Sequence, residues 1–564
     1  MPADDALPSR ARPWRASYPP SVDPDPKIAP RTVPQLFEEA AARHGPLPAL
    51  SFGPTTLSYA ELARRVRQTA HALARAGIGP GEAVALYLPN LPWHPIFFYG
   101  ALTAGARVAH LSPLDALREL EHKLRDSGAR TLVTTNLPNM TALAEQLARS
   151  GAVDRVILCD AGAFGPLPVP LAPLPQDARF VGAEEFLAGA PDGPFASPAA
   201  PEDVALLQYT GGTTGLPKGA VLTHRNLTAA VSIYDAWYEG FGIAGDPDAP
   251  PQEVALVVLP LFHIYALVVL LLRQTQEGAH MVLALRFDPA EILDLIERRR
   301  VTLFPGVPTM WTALVNMPDI DKRDLSSLRL VGSGGAPLPL EVKKRFDQLT
   351  GLRLGGGWGM TETASAGTGH LRDIPPEKAA SVGLPLPGLE MKVVDVADPA
   401  RELPLGETGE LAIRGPNITR GYWNRPDADV EAFHDGWLLT GDIGRIDREG
   451  YVWLVDRKKD MIISSGYNVY PQMIEQAIYE HPAVAECVVI GIPDDYRGES
   501  AKAFVALRPG AQPFALDELR AFLSDKLGRH ELPAALEFRD HLPRTAVGKL
   551  SRKELRDELR GAGG

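Results

Sequence analysis

Residues 209–219 read YTGGTTGLPKG and follow an apolar run, VALLQ, at 204–208. Glycines let backbone N–H groups approach a ligand closely. Threonine hydroxyls and a lysine ammonium add donors for phosphate oxygens. The stretch therefore suits a polyphosphate. It is not the Walker pattern, in which GxxxxGK is followed by Ser or Thr. The other GK pair, Gly548-Lys549, has Pro543 at the first glycine position and Leu550 after it. GGGWG at 355–359 fails the GxGxxG dinucleotide pattern because Met360 stands where the last glycine should be. Taken alone, such a stretch also reads as a surface turn.

The elements that would hold this loop are legible around it. SYAELARRVRQTAHALARAG predicts a helix, with a capping box from Ser58 and Glu61 and a stop at Gly77. AVALYL at 83–88, TLVTT and RVILCD read as strands, and PIFFYGALTAG and ALAEQLARSG as helices between them. Such alternation implies a parallel α/β sheet with helices on its faces. The first thirty residues are Pro-rich and are expected to wrap loosely on the surface. Residues 161–200, rich in Pro, Ala and Gly, read as an excursion. Short strands, ELAIRG and GYVWLVD, precede a charged junction, DRKKD, at 456–460. After it come helix PQMIEQAIYEH, strands AVAECVVIGI and AKAFVALR, and helix LDELRAFLSDKL, enough for a small second domain. The boundary is placed at 456/457, giving domains 1–456 and 457–564.

Bulk properties narrow the function. The chain has 564 residues, too long for one ordinary core, and 45% hydrophobic against 22% charged residues marks a globular composition. A net charge of −12 disfavours a global nucleic-acid role. Two distant cysteines, Cys159 and Cys487, argue against a disulfide framework and fit a reducing compartment. The start, MPADDALPSRARPW, lacks the apolar run of a signal peptide, so a cytoplasmic location is expected. VALVVLPLFHIYALVVLLL at 254–272 tempts a membrane-spanning assignment, but Pro260 and His263 split it into a strand-length run and a buried-helix run. Peripheral membrane contact and a dimeric state stay open.

The glycine-rich stretch resembles the phosphate-binding signature of the adenylate-forming superfamily, which holds acyl- and aryl-CoA ligases, beetle luciferases and peptide-synthetase adenylation domains. Six further stretches match in the expected order: FHIYAL around His263, GSGGAPLP at 332–339, GWGMTET at 357–363, TGD at 440–442, DRKKDMIISSGYNVYP at 456–471 and PRTAVGK at 543–549. The resemblance runs from about residue 30 to the end and extends to bacterial medium- and long-chain fatty acid–CoA ligases. It implies a large N-terminal domain of α/β subdomains plus a β-barrel-like part, and a small mobile α+β C-terminal domain. It also implies a two-step ligase using ATP, Mg²⁺ and CoA, in which a carboxylate attacks the α-phosphate and CoA thiolate then attacks the acyl-AMP.

On that resemblance Thr210, Thr213, Thr214 and Lys218 hold the β- and γ-phosphates. Thr361 donates to the α-phosphate, and Glu362, with Thr214, holds Mg²⁺, a hard cation suited to oxygen ligands. A helix-capping pair is the plainer reading of Thr361 and Glu362. Gly334, Gly335, Ala336 and Pro337 pass along the adenine, Trp358 stacks on it, and Gly359 and Met360 continue that wall. Asp442 and Arg457 bind the ribose. Relatives mostly carry Tyr where Trp358 stands, so stacking survives and a phenol hydroxyl is lost. Lys549 bridges the carboxylate and the α-phosphate; a solvated surface lysine is its bland alternative. Lys459 is the hinge of a domain rotation, and Gly466 then lets pantetheine pass. His263 lines the junction of acyl group and pantetheine, or is a packed core histidine.

Gly359 stands where acetate-activating relatives carry Trp, which reads as room for a longer acid. FPGVPTMW at 304–311 also resembles fatty-acyl members, beside the acyl tunnel. A medium- or long-chain fatty acid is therefore expected. A dicarboxylate such as pimelate, an aryl acid, or a carrier protein in place of CoA remain alternatives. A non-catalytic scaffold should have lost Lys549 or Glu362, and both are present.

Overall fold

The computed structural model describes residues 11–210, 217–239, 250–336, 338–464, 467–494, 496–545 and 549–562. The predicted helix forms over Tyr59–Arg75, with the Ser58–Glu61 capping box closed in both directions. It packs against the wholly buried helix Trp93–Thr103. Seven strands form one sheet in the order Phe180–Gly182, Arg155–Cys159, Thr131–Thr135, Ala83–Leu86, Arg107–His110, Val204–Thr210 and Lys218–Thr223. All neighbours are parallel except the last pair, a hairpin whose connection carries the glycine-rich stretch. The alternation read from the sequence therefore gives the expected parallel sheet.

A second sheet has nine strands. Its centre, from Pro48–Phe52 through His280–Leu283, Val254–Val257, Leu303–Gly306 and Leu330–Ser333 to Gly355–Trp358, is parallel. The tempting apolar run splits as expected, into the strand Val254–Val257 and a buried helical stretch, Ile264–Leu272. Among the described residues no helix is long and apolar enough to cross a membrane. A third, antiparallel sheet contains Gly409–Arg414, Trp437–Ile446 and Val452–Arg457.

The fourth sheet belongs to the C-terminal segment, which has a core of its own around Ile474, Ile478, Val489, Val505 and Leu519. The chain leaves the third sheet at Arg457 and enters the fourth at Ile462. The charged junction is clamped by ion pairs: Lys458 meets Glu410 at 2.8 Å, and Asp460 meets Arg552 at 3.2 Å and Arg556 at 2.8 Å.

Two expectations fail. The Pro-rich N-terminal segment is anchored from residue 11 on. Trp14 is buried and packs so closely on Gly450 that a Cβ there would lie 2.3 Å from its backbone, and Tyr18 meets the Trp237 ring edge-on at 5.6 Å. Aromatics interrupt that segment, and a buried Trp anchors it; truncating such a residue to Ala typically costs about 3–5 kcal/mol. The 161–200 excursion likewise supplies the edge strand Phe180–Gly182 and a short helix, Ala183–Leu187.

Candidate active site

Thr210 stands opposite Lys218 across the hairpin, and its hydroxyl donates to the Lys218 carbonyl at 3.4 Å. Thr213, Thr214, Pro337 and Gly466 lie outside the described residues. The Lys218 ammonium sits 5.3 Å from the centroid of the Tyr422 ring. The hydroxyl of the same tyrosine donates to Glu362 Oε1 at 2.6 Å. Burial, then the Glu362 carboxylate, push the phenol pKa up, so it remains a donor. Glu362 is only 6% exposed.

Glu362 is therefore not a capping residue. In the short 3₁₀ turn Thr361–Thr363 the capping contact belongs to Thr363, whose hydroxyl accepts from Met360 N at 3.1 Å. Ala364 and Ser365 follow with φ of 45° and 73°, a left-handed conformation that costs energy in residues bearing a Cβ. Asn417 holds this turn by donating to the Thr363 and Ala366 carbonyls at 2.7 and 2.9 Å, and Tyr234 donates to the Ser365 carbonyl at 2.9 Å.

Gly359 stands against the turn that follows it. A Cβ there would lie 1.8 Å from the Ser365 carbonyl oxygen. The missing side chain lets the turn close on itself. In FPGVPTMW, Trp311 is likewise packed in the core, against Phe304 and Phe346 at 5.0 and 4.9 Å.

Trp358 is 9% exposed, and its indole N–H donates to Asp442 Oδ2 at 2.8 Å. The other carboxylate oxygen meets Arg457 Nε at 3.0 Å. Asp442 is buried; burial raises its pKa, while Arg457 and the indole act against that. The donor that a tyrosine hydroxyl would have offered is thus replaced by an indole N–H aimed at the expected ribose ligand.

Lys549 lies in the same cleft. A Cβ on Gly335, whose φ is +81°, would come within 2.8 Å of Lys549 Cε and 3.2 Å of Nζ. The glycine is what lets the lysine lie there. Burial and the Arg457 charge push Lys549 down to about 8, against a smaller opposing pull from Asp442. Gly334 is crossed by the Tyr265 ring, 2.8 Å from where its Cβ would be, and His263 Nδ1 accepts from Tyr265 N at 3.3 Å. Burial, then Lys549, push His263 down to about 3, so its ring is neutral. Ala336 and Met360 are half-buried, and Lys459 is exposed on the junction.

The structure thus brings Lys549, Gly335, Trp358, Asp442 and Arg457 into one cleft, and joins Lys218 to Glu362 through Tyr422. The sequence reading missed Tyr422, Asn417 and Tyr265. Tyr265 lies inside the FHIYAL stretch, and GYW at 421–423, two aromatics behind a glycine, is the signal for Tyr422. Among the described residues no group of three or more His, Cys, Asp or Glu could hold a metal ion. Mg²⁺ usually takes one or two carboxylates and fills its shell with substrate phosphates and water. One buried carboxylate that shares Tyr422 with Lys218 fits that demand.

Comparison with known proteins agrees with this geometry. Residues 37–423 match the model of the AMP-binding enzyme family, and residues 473–549 match that of the AMP-binding enzyme C-terminal domain. The chain belongs to the AMP-binding enzyme family. It is 37% identical over 567 residues to a long-chain-fatty-acid–CoA ligase of Bacillus subtilis, covering 97% of this chain and 98% of that one. It is 38% identical over 512 residues to a feruloyl-CoA synthase of an Amycolatopsis species, covering 90% and 95%. Its fold matches a crystal structure of the anthranilate CoA ligase AuaEII with anthranoyl-AMP, at a TM-score of 0.82 and 26% identity over 94% and 98% of the two chains.

Proposed function

We propose that this chain is an ATP-dependent acid–CoA ligase that makes acyl-CoA, AMP and pyrophosphate through an acyl-adenylate, with a medium- or long-chain fatty acid as substrate. The observation that carries the reading is the approach of Lys549 to Gly335, in the cleft that also holds the Asp442–Arg457 pair. Adenylation brings an anionic carboxylate to a polyanion, so positioning and charge neutralisation are the work to be done. Lys549 is a cation at that point. The carboxylate oxygen bonds to the α-phosphorus as the bond to the β-phosphate oxygen breaks, and pyrophosphate leaves. Thr361 donates to the α-phosphate, Lys218 neutralises the outer phosphates, and Asp442 and Arg457 hold the ribose. Mg²⁺, bound through Glu362 and Thr214, would screen phosphate charge. CoA sulfur then attacks the acyl carbon and AMP leaves.

A lysine held in this cleft would obstruct the second step. We assign that step to a rotation of the C-terminal segment beyond the hinge Lys459, which withdraws Lys549 and brings Gly466 to the cleft. The buried free thiols of Cys159 and Cys487 support a reducing, cytoplasmic setting.

The fatty-acid assignment is supported by near full-length similarity to a long-chain ligase. The aryl alternative has one observation in its favour, the similarity to a feruloyl-CoA synthase. Competition decides between them. With equimolar octanoate, palmitate, pimelate and ferulate, plus ATP, Mg²⁺ and CoA, palmitoyl-CoA or octanoyl-CoA should dominate the mass spectrum. Feruloyl-CoA as the main product would reject the fatty-acid reading and keep the ligase. AMP without any thioester would favour a carrier-protein acceptor.

A further inference from the structure

Residues 417–423 tie the phosphate-loop strand to the turn that carries Glu362. On one side Tyr422 pairs with Ala220 in an isolated antiparallel bridge, Val221 N donates to the Gly421 carbonyl at 2.9 Å, and Trp423 N to the Gly219 carbonyl at 2.8 Å. On the other side Thr419 N donates to the Glu362 carbonyl at 2.7 Å, and Asn417 holds the Thr363 and Ala366 carbonyls. Tyr422 stands where the two meet, with the Lys218 ammonium over its ring and its hydroxyl on Glu362 Oε1. Its own N–H is held by Asp429 Oδ1 at 2.7 Å, so the ring is fixed from the backbone outward.

From this arrangement we infer that Tyr422 is a positioning residue, which fixes the rotation of the Glu362 carboxylate and couples it to the phosphate-binding lysine. The inference rests on the reading of Glu362 as the Mg²⁺ ligand. The phenol occupies Oε1 and leaves Oε2 as the oxygen offered to a cation. A short hydrogen bond to an ionised carboxylate is a strong one and sets its orientation. Partners that orient a metal ligand in this way typically change metal affinity 10–100-fold when removed. The ring adds a separate contribution, since a cation over an aromatic face is held electrostatically. Without the hydroxyl the carboxylate is free to turn, and Oε1 becomes an acceptor for whichever cation is nearest.

The test separates the hydroxyl from the ring. Calorimetry measures ATP affinity with Mg²⁺ and with EDTA, and the ratio of the two is the metal-dependent tightening. In Tyr422→Phe that ratio should fall by about tenfold or more, with metal-free ATP affinity kept within about twofold. In Tyr422→Leu metal-free ATP affinity should fall as well, because the ring under Lys218 is gone. A Tyr422→Phe protein whose Mg²⁺-dependent tightening stays within about twofold of the unaltered protein overturns the inference. So does one whose metal-free and Mg²⁺-bound affinities fall together with its melting temperature, since a merely structural role would do that. Glu362→Gln guards the underlying reading. If it keeps the full tightening while Tyr422→Phe loses it, Glu362 is not the metal ligand and the coupling through Tyr422 needs another partner.

Discussion

Lys549 gives the sharpest prediction, because its environment fixes both a direction and a size. In the cleft the ammonium is pushed down to about 8 by burial and by Arg457, from an ordinary 10.5. A lysine with a lowered pKa destabilises the closed cleft at low pH, and that penalty fades as pH rises from about 8 towards 10.5. Bound ATP reverses the balance, since phosphate oxygens beside the ammonium favour its charged form. At pH 9 roughly one tenth of free protein carries the proton, so ATP binding should take up about 0.9 proton; at pH 7 the same arithmetic gives about 0.1. Calorimetry in buffers of different ionisation enthalpy reads that uptake directly. The kcat/KM for ATP should fall about tenfold between pH 7 and pH 9, because it reports the free enzyme. Lys549→Arg, charged throughout this range, should give a lower but flat profile. Lys549→Ala should lose adenylation and still convert supplied acyl-AMP to acyl-CoA. Absence of proton uptake at pH 9, or the same decline in Lys549→Arg, would refute the placement of this lysine against the phosphates.

Three other substitutions probe the site. Trp358→Phe keeps a stacking face but removes the N–H on buried Asp442, and should raise KM for ATP about 5- to 100-fold, as expected for an unpaired buried acceptor; an unchanged KM in steady-state kinetics contradicts that. Gly359→Ala should lower the melting temperature and adenylation together, because its Cβ would meet the Ser365 carbonyl oxygen at 1.8 Å; a fully active, equally stable variant would refute that close approach. Lys459→Pro should leave pyrophosphate exchange intact and block thioester formation, and normal overall turnover would reject it as the hinge.

Much of this was legible in the chain, and the failures share a cause. The helix Tyr59–Arg75 and the parallel strands were readable because caps and apolar periodicity are local signals. The split of residues 254–272 followed from one proline and one histidine. What failed depended on contacts between distant residues. Trp14 finds its cover at Gly450, and Tyr422 finds its acceptor 60 residues earlier in the chain. At Gly359 a missing side chain signals open space and close backbone approach equally well, and only three dimensions show the approach to the Ser365 carbonyl. The loss of a phenol at Trp358 was noted, yet the indole N–H could not be aimed at Asp442, 84 residues away, without the fold.

The central claim is that the acid passes through an acyl-adenylate. The most direct test uses palmitate carrying ¹⁸O in its carboxylate, with ATP, Mg²⁺ and CoA, and weighs the AMP released. The account predicts one ¹⁸O in AMP for each palmitoyl-CoA formed, because the oxygen that attacks the α-phosphorus stays with AMP when sulfur displaces it. Unlabelled AMP, or ADP in its place, would contradict it.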